Sequence, residues 1–417
     1  MTTARGPAAL AEPTEPVGRG WTAALSLANG AVWVGWFGPL QILLASQAGD
    51  FAPGSGMTKE TMLAWVTGVG AVVSLVANPF FGALSDRTTA RRGRRTPWIV
   101  AGAAGGALSL LLLADAGGPW TMTLGWCLVQ LTLNAAFAAV TAAVPDRVPR
   151  RQRGTVGGWL GAAQILGVVG GTGLATAAGG VRAGYAACAV CTVAGVLPYV
   201  LGYGDPRLAK EDRPGWSWRS FLSGFWLSPR RFPDLGWAWL TRFLINLGNS
   251  LVLLYLLYYL RDGLHRPDPG RGVLILTAVN SLTLVATVVV GGVWSDRVGR
   301  RKPFVVWSGV LMAVATAALA VRQTWPATVV AAAVLGVGFG VFTSVDFALM
   351  TDVLPTALDR GKDLGVINVA NALPQVAAPA LAAPIVTHLG GYRVLYLVAA
   401  ATGLAGAVLV GRIRGTD

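Results

Sequence analysis

The sequence predicts an all-α integral membrane protein, with twelve transmembrane helices in two pseudo-symmetric six-helix bundles. Three observations carry this: scarce, clustered charge; long apolar runs; and an internal repeat. Of 417 residues, 54% are hydrophobic and only 12% charged, where a soluble domain carries about 25% charged residues. The apolar runs between charge clusters match the roughly 20 residues that cross the hydrocarbon core. Lipid offers the backbone no partners, so a span must be a helix or a strand of a closed barrel. The runs are too long for barrel strands and lack their alternation.

Taken in order, residues 1–19 form a polar tail without the apolar region of a signal peptide, expected in the cytoplasm. Spans are predicted over Trp21–Ser46, Glu60–Leu84, Pro97–Ala114, Trp120–Val144, Thr155–Ala178 and Gly184–Gly204. Together they make an amino-terminal bundle over 20–204. Residues 205–235 read as a cytoplasmic linker. In it Trp216, Trp218, Phe221, Leu222, Phe225 and Trp226 are interspersed with Arg219 and serines. An amphipathic helix on the inner leaflet would place these indoles at the headgroups; a loop packed on the inner helix ends fits equally. Further spans are predicted over Gly236–Leu260, Gly272–Trp294, Pro303–Val321, Trp325–Met350, Leu364–Thr387 and Tyr392–Arg412, a carboxy-terminal bundle over 236–412. Residues 413–417 are a second cytoplasmic tail.

The net charge of +14 invites a nucleic-acid partner, but its distribution argues against one. Lys59, Arg182, Arg261, Arg266, Arg271, Arg322 and Arg393 fall on one side of the predicted spans and Arg242 within a span. All other Lys and Arg fall on the opposite side. This is the positive-inside bias of a cell-membrane protein, and it puts both termini in the cytoplasm. Cys127, Cys188 and Cys191 lie inside predicted spans, and His265 and His388 stand singly at loop edges. No second Cys or His cluster completes a metal or redox site, so no metal and no cofactor are expected.

The chain repeats itself. Gly82-Ala-Leu-Ser85-Asp86-Arg87 is echoed by Gly292-Val-Trp-Ser295-Asp296-Arg297, and Arg94-Arg95-Thr96-Pro97 by Arg300-Arg301-Lys302-Pro303. Each copy follows the second span of its half. After the fourth span, Pro145-Asp146-Arg147 leads to Arg153-Gly154, as Asp352-Val353-Leu354-Pro355 leads to Arg360-Gly361. In these loops the sequence resembles the major facilitator superfamily, through Gly82, Asp86, Arg87, Gly93, Arg94, Arg95 and Pro97 and the copy at Gly292, Asp296, Arg297, Gly299, Arg300 and Arg301. The run Asp86–Ile99 and the segment Asp359–Gly365 further resemble the sucrose–proton and glycoside–cation symporter branches.

That resemblance implies a cytoplasmic latch. Gly82 would let the second helix approach the eleventh, whose positive N-terminal end would hold Asp86. Arg87, Arg94 and Arg95 would bridge Asp86 and lipid phosphates. Asp296, with Arg297, Arg300 and Arg301, would form the partner latch. The resemblance also implies that helices one, four, seven and ten line a central cavity. Helix seven carries Arg242, Asn246 and Asn249 on one face, and helix four carries Gln130 and Asn134. Helix one offers Asn29, Trp33, Trp36, Phe37 and Gln41; in helix eleven Asn368, Asn371 and Gln375 share a face.

Ionisable groups inside a membrane are costly and usually functional. Asp346 lies six residues before Asp352, about 9 Å from the inner end, and Arg242 eight residues after Asp234, about 12 Å in. Matched depth predicts that they pair, either as a proton-coupling switch or as a static pair; the alternative is that Arg300 and Arg301 hold Asp346 in the loop network. Gly157, Gly158, Gly161, Gly167, Gly170 and Gly171 crowd the fifth span, predicting close packing at the interface between the halves. No carboxylate falls within spans one or four, which puts sodium coupling in doubt. No Walker A loop, H-E-x-x-H or G-x-S-x-G occurs, so enzyme activity is not expected. The resemblance implies secondary active transport of a small solute by alternating access, proton-coupled, with a sugar or glycoside favoured and a monomer as the working unit. A drug or metabolite efflux carrier and a non-transporting receptor are the alternatives.

Overall fold

A computed structural model describes residues 13–213, 215–218, 233–298, 302–352 and 360–413, excepting the side chains at 150, 154, 289, 292, 293, 295–297, 347–352 and 360–368. In the first half, α1 runs Arg19–Gly38 and continues through a π-turn, Pro39–Leu43, into Leu44–Phe51. It is followed by α2 (Lys59–Asp86), α3 (Thr96–Ala114), α4 (Pro119–Arg147), α5 (Arg150–Ala177) and α6 (Val181–Gly202). In the second half, α7 runs Pro233–Leu254 and resumes after Tyr255 as Leu256–Gly263, bent by 43°. Then come α8 (Pro269–Val298), α9 (Lys302–Val321), α10 (Trp325–Asp352), α11 (Arg360–His388) and α12 (Gly391–Leu409).

Eleven of these helices are long and apolar enough to cross a membrane among the described residues, and the bent α7 makes a twelfth. Helix starts follow local chemistry: α3 and α4 open with Pro97 and Pro119 in the first turn, where the missing N–H costs nothing. Prolines at 79, 145 and 198 and in α11 lie inside helices, tolerated where neighbouring helices satisfy the freed backbone groups.

The described residues divide into two compact units: 1–47 with 72–216, and 48–71 with 217–417. Each is packed in the same way. In the first, α1 lies against α5 and α6, and α3 against α4 and α6; in the second, α7 lies against α11 and α12, and α9 against α10 and α12. The duplicated loop motifs therefore sit on a duplicated packing scheme. At one end of the first unit Trp21, Leu25, Ile99, Val140 and Tyr199 close an apolar core.

Two of the fifth-span glycines pack against the first helix of the same unit. A Cβ on Gly167 would stand 2.8 Å from Trp33 Cβ and 3.1 Å from the Gly30 carbonyl carbon. Gly167 and Gly171 thus let α5 press onto α1 within one unit. Gly157, Gly158 and Gly161 face open space among the described residues. The tryptophan-rich linker falls, over 219–232, outside the described residues.

Candidate functional site

In the second unit three helices converge on one guanidinium. Arg242 Nη1 of α7 lies 3.1 Å from Asp346 Oδ2 of α10, with 12% and 3% of the two side chains exposed. The approach lies off the N–H direction, so Nη1 makes a charge contact without a hydrogen bond. Arg242 Nε donates to Asn371 Oδ1 of α11 at 2.8 Å. Asn246 Nδ2, one turn along α7, donates to the same oxygen at 3.3 Å and to the Arg242 carbonyl at 2.9 Å. The pair predicted from matched depth is therefore present, and Asn246 and Asn371 form its shell. Asn249 is half-buried and Gln375 exposed; neither makes a hydrogen bond among the described residues.

The equivalent level of the first unit is neutral. Asn134 Nδ2 of α4 donates to Ser74 Oγ of α2 at 2.9 Å and to the Gln130 carbonyl at 2.8 Å, with Gln130 Oε1 at 3.4 Å. Asn78 Nδ2 donates to Asn134 Oδ1 at 3.3 Å. Trp36 meets Trp33 and Phe137 edge to face, with centroids 5.6 and 5.4 Å away. The indole N–H groups of Trp33 and Trp36 are buried without a hydrogen-bond partner. Gln41 is buried within the π-turn of α1, a helix defect that recurs at functional positions. Asn29 ties α1 to α5 through the Leu160 carbonyl at 2.9 Å.

The α2–α3 loop carries its charge at a helix end. Arg94 Nε donates to Asp146 Oδ2 at 2.9 Å, and its Nη2 also reaches Oδ1. Arg95 Nε donates to Asp146 Oδ2 at 2.7 Å and its Nη2 to Asp86 Oδ1 at 2.6 Å. Burial would lower the Arg95 guanidinium, but Asp146 and Asp86 more than offset it and leave Arg95 above its ordinary value. Asp146, 8% exposed, is thus the hub, while Asp86, 52% exposed, is peripheral. Arg87 does not join them: its guanidinium lies over the Trp216 ring, 5.5 Å from the centroid. A Cβ at Gly82 would meet nothing within 4 Å among the described residues.

Asp205, where the chain leaves α6, accepts from the Thr96 amide at 2.5 Å and from the Tyr199 hydroxyl at 2.8 Å. It caps α3, whose first amides have no partner within the helix. Gly93 makes this possible, with φ at +95° and a Cβ position 2.8 Å from the Asp205 carbonyl oxygen. Arg300 and Arg301, and the side chains of Asp296 and Arg297, lie outside the described residues. Sequence reasoning passed over Asp146 and Asp205 as site residues. Asp146 was visible only as a landmark of the repeat, and Asp205 only as the first residue of the linker. Three or more Asp, Glu, His or Cys side chains grouped to hold a metal do not occur among the described residues.

Eleven or, with the bent α7, twelve apolar helices among the described residues, sharing packing contacts in two units and holding charge inside one of them, define a polytopic membrane protein. The profile of the Major Facilitator Superfamily matches residues 22–276 and 268–417. The chain belongs to that superfamily, whose members are transporters, and its spans mark it as an integral membrane protein. Its fold is similar to that of the nucleoside transporter NupG, with TM-score 0.75 and 12% identity, covering 94% of this chain and 98% of that one. The human organic anion transporter MFSD10 gives TM-score 0.69 and 16% identity, covering 95% of this chain and 100% of that one. In sequence, the chain is 28% identical over 135 residues to myo-inositol transporter 3C of Cryptococcus neoformans var. grubii, 32% of this chain. Myo-inositol transporter 3 of the same organism matches at 28% over 130 residues. In both cases the match spans 22% of the relative's length.

Proposed function

We propose that this transporter moves a small polyhydroxylated solute, related to sugars, glycosides, inositols or nucleosides, by alternating access, with a proton as the coupling ion. The observation that carries the reading is the Arg242–Asp346 pair, buried inside its spans beside Asn246 and Asn371. A carboxylate at such depth is retained for function more often than for stability. Protonation of Asp346 removes its charge and frees Arg242 to reorient, which couples proton uptake to rearrangement of α7, α10 and α11. The amides of Asn246, Asn249, Asn371, Gln375, Gln41, Gln130 and Asn134 would meet hydroxyl groups, since each amide both donates and accepts. Trp36 would offer a ring face and a free indole N–H. The names of the inositol and nucleoside transporters that the chain resembles support this solute class.

A second reading, an organic anion as solute, is favoured by one observation. Arg242 Nη1 has no hydrogen bond and could receive a carboxylate, and one structural relative is an organic anion transporter. In either reading the working unit is a monomer in the cell membrane with both termini cytoplasmic, and bundles 20–204 and 236–412 are the moving parts. The latch is Gly82, Asp86, Arg87, Arg94 and Arg95 with the copy at Asp296, Arg297, Arg300 and Arg301.

The test is uptake by purified protein in proteoliposomes under an inward proton gradient. The panel is myo-inositol, a nucleoside, a glycoside and benzoate. Saturable uptake of a hydroxylated solute, abolished by a protonophore, is the expected result. Uptake indifferent to the protonophore removes the proton, uptake of benzoate alone selects the second reading, and no saturable flux rejects both.

A further inference from the structure

In the second unit a guanidinium fixes which way two amides face. A guanidinium offers N–H donors and no acceptor, so an amide set against Arg242 must turn its oxygen toward it. Asn371 does so: its Oδ1 accepts from Arg242 Nε at 2.8 Å and from Asn246 Nδ2 at 3.3 Å. An amide oxygen has two lone pairs, and both are taken. What Asn371 keeps is Nδ2, a donor without a hydrogen bond among the described residues.

Asn246 is committed the opposite way. Its Nδ2 protons go to the Arg242 carbonyl at 2.9 Å and to Asn371 Oδ1. What it keeps is Oδ1, an acceptor without a hydrogen bond among the described residues. Turning Asn371 over would set its donor against a guanidinium donor. Turning Asn246 over would set its oxygen against two other oxygens. Both orientations are therefore fixed by the network. Arg242 is itself held by Asp346 Oδ2, 3.1 Å from Nη1. Both asparagines are half-buried, and the hydrogen bond between them makes the free donor and the free acceptor neighbours.

A hydroxyl group suits either polarity, because it both donates and accepts. Locked amides therefore discriminate little among plain polyols. They discriminate sharply among groups whose own polarity is fixed, since a mismatch leaves polar atoms unpaired. The complement of a donor beside an acceptor is an acceptor beside a donor, which is the –CO–NH– edge of a lactam.

We propose that Asn371 Nδ2 and Asn246 Oδ1 form a recognition pair for a lactam edge, whose carbonyl oxygen accepts from Asn371 and whose N–H donates to Asn246. The assignment rests on the hydroxylated-solute reading and narrows it: the solute is a sugar ring that carries a lactam base.

The test is isothermal titration calorimetry on purified full-length protein in detergent, with uridine, 3-methyluridine, 5-methyluridine and myo-inositol. 3-Methyluridine keeps the carbonyl groups and loses the N–H; 5-methyluridine carries its methyl group off that edge and controls for bulk. The parent is expected to bind uridine and 5-methyluridine alike, and 3-methyluridine at least roughly tenfold more weakly. Asn371→Asp keeps an oxygen for Arg242 Nε and Asn246 Nδ2 but exchanges the free donor for an acceptor. Its affinity for uridine should fall by a similar factor, whereas a residue that served only to hold Arg242 would be replaced by aspartate without loss. The ligand comparison needs no variant, so it stands even if Asn371→Asp fails to fold. Equal affinity for uridine and 3-methyluridine, or parental uridine affinity in Asn371→Asp, overturns the proposal. Binding of myo-inositol without uridine also overturns it and leaves the hydroxylated-solute reading standing. No binding of any of these compounds by the parent tells against that reading itself, and the lactam pair falls with it.

Discussion

The two units share a packing scheme and differ in where they keep charge. In the first, Arg94 and Arg95 share Asp146 at a helix end, while among the described residues the mid-span level around Asn134 holds amides, a serine and aromatic rings. In the second, an ion pair sits inside the spans, with Asp346 3% exposed. A charge at a helix end can borrow water and headgroups, whereas a charge in the span depends wholly on its partner. The two units thus share a scaffold and differ in mid-span chemistry, neutral in the first and ionisable in the second.

The comparison can be broken or sharpened by substitution. The largest effect is expected in the second unit. Arg242→Met leaves Asp346 buried without a countercharge and should cost about 3–5 kcal/mol, whereas Arg242→Met with Asp346→Leu should recover most of that. Thermal melts of the two singles and the double in detergent give the coupling directly. In the first unit, Asp146→Asn removes the acceptor of both guanidinium groups and should cost roughly 2–3 kcal/mol by the same measurement. Gly93→Ala comes next, at roughly 1–3 kcal/mol, because a side chain at φ +95° is strained and its Cβ meets the Asp205 carbonyl. Asp86→Asn is the smallest, below about 1 kcal/mol, since its carboxylate is half in solvent. A cost for Asp86→Asn above that of Asp146→Asn would reverse the assignment of the hub.

How much was legible in the sequence follows from what each feature depends on. The spans were legible because each is a local property, the length of an apolar run. The Arg242–Asp346 pair was legible because rise per residue converts position into depth, and two isolated charges at one depth leave few alternatives. Asp146 was hidden because its role needs two loops brought together, and the loop motif itself drew the eye to Asp86. The role of Asp205 needs the end of α6 to meet the start of α3. The bend at Tyr255 leaves no proline behind to announce it. The allegiance of residues 48–71 was equally hidden: hydropathy says that they enter a membrane, but not which neighbours they join there. Lys59 and Glu60, far in sequence from Asp262, are brought together with it only by the fold.

The central proposal is that Asp346 exchanges its charge contact with Arg242 for a proton during transport. The most direct measurement compares Asp346→Asn with the parent in proteoliposomes, scoring proton-driven accumulation and solute counterflow side by side. The account predicts that accumulation falls to background while counterflow persists; accumulation at the parental level in the variant would contradict it.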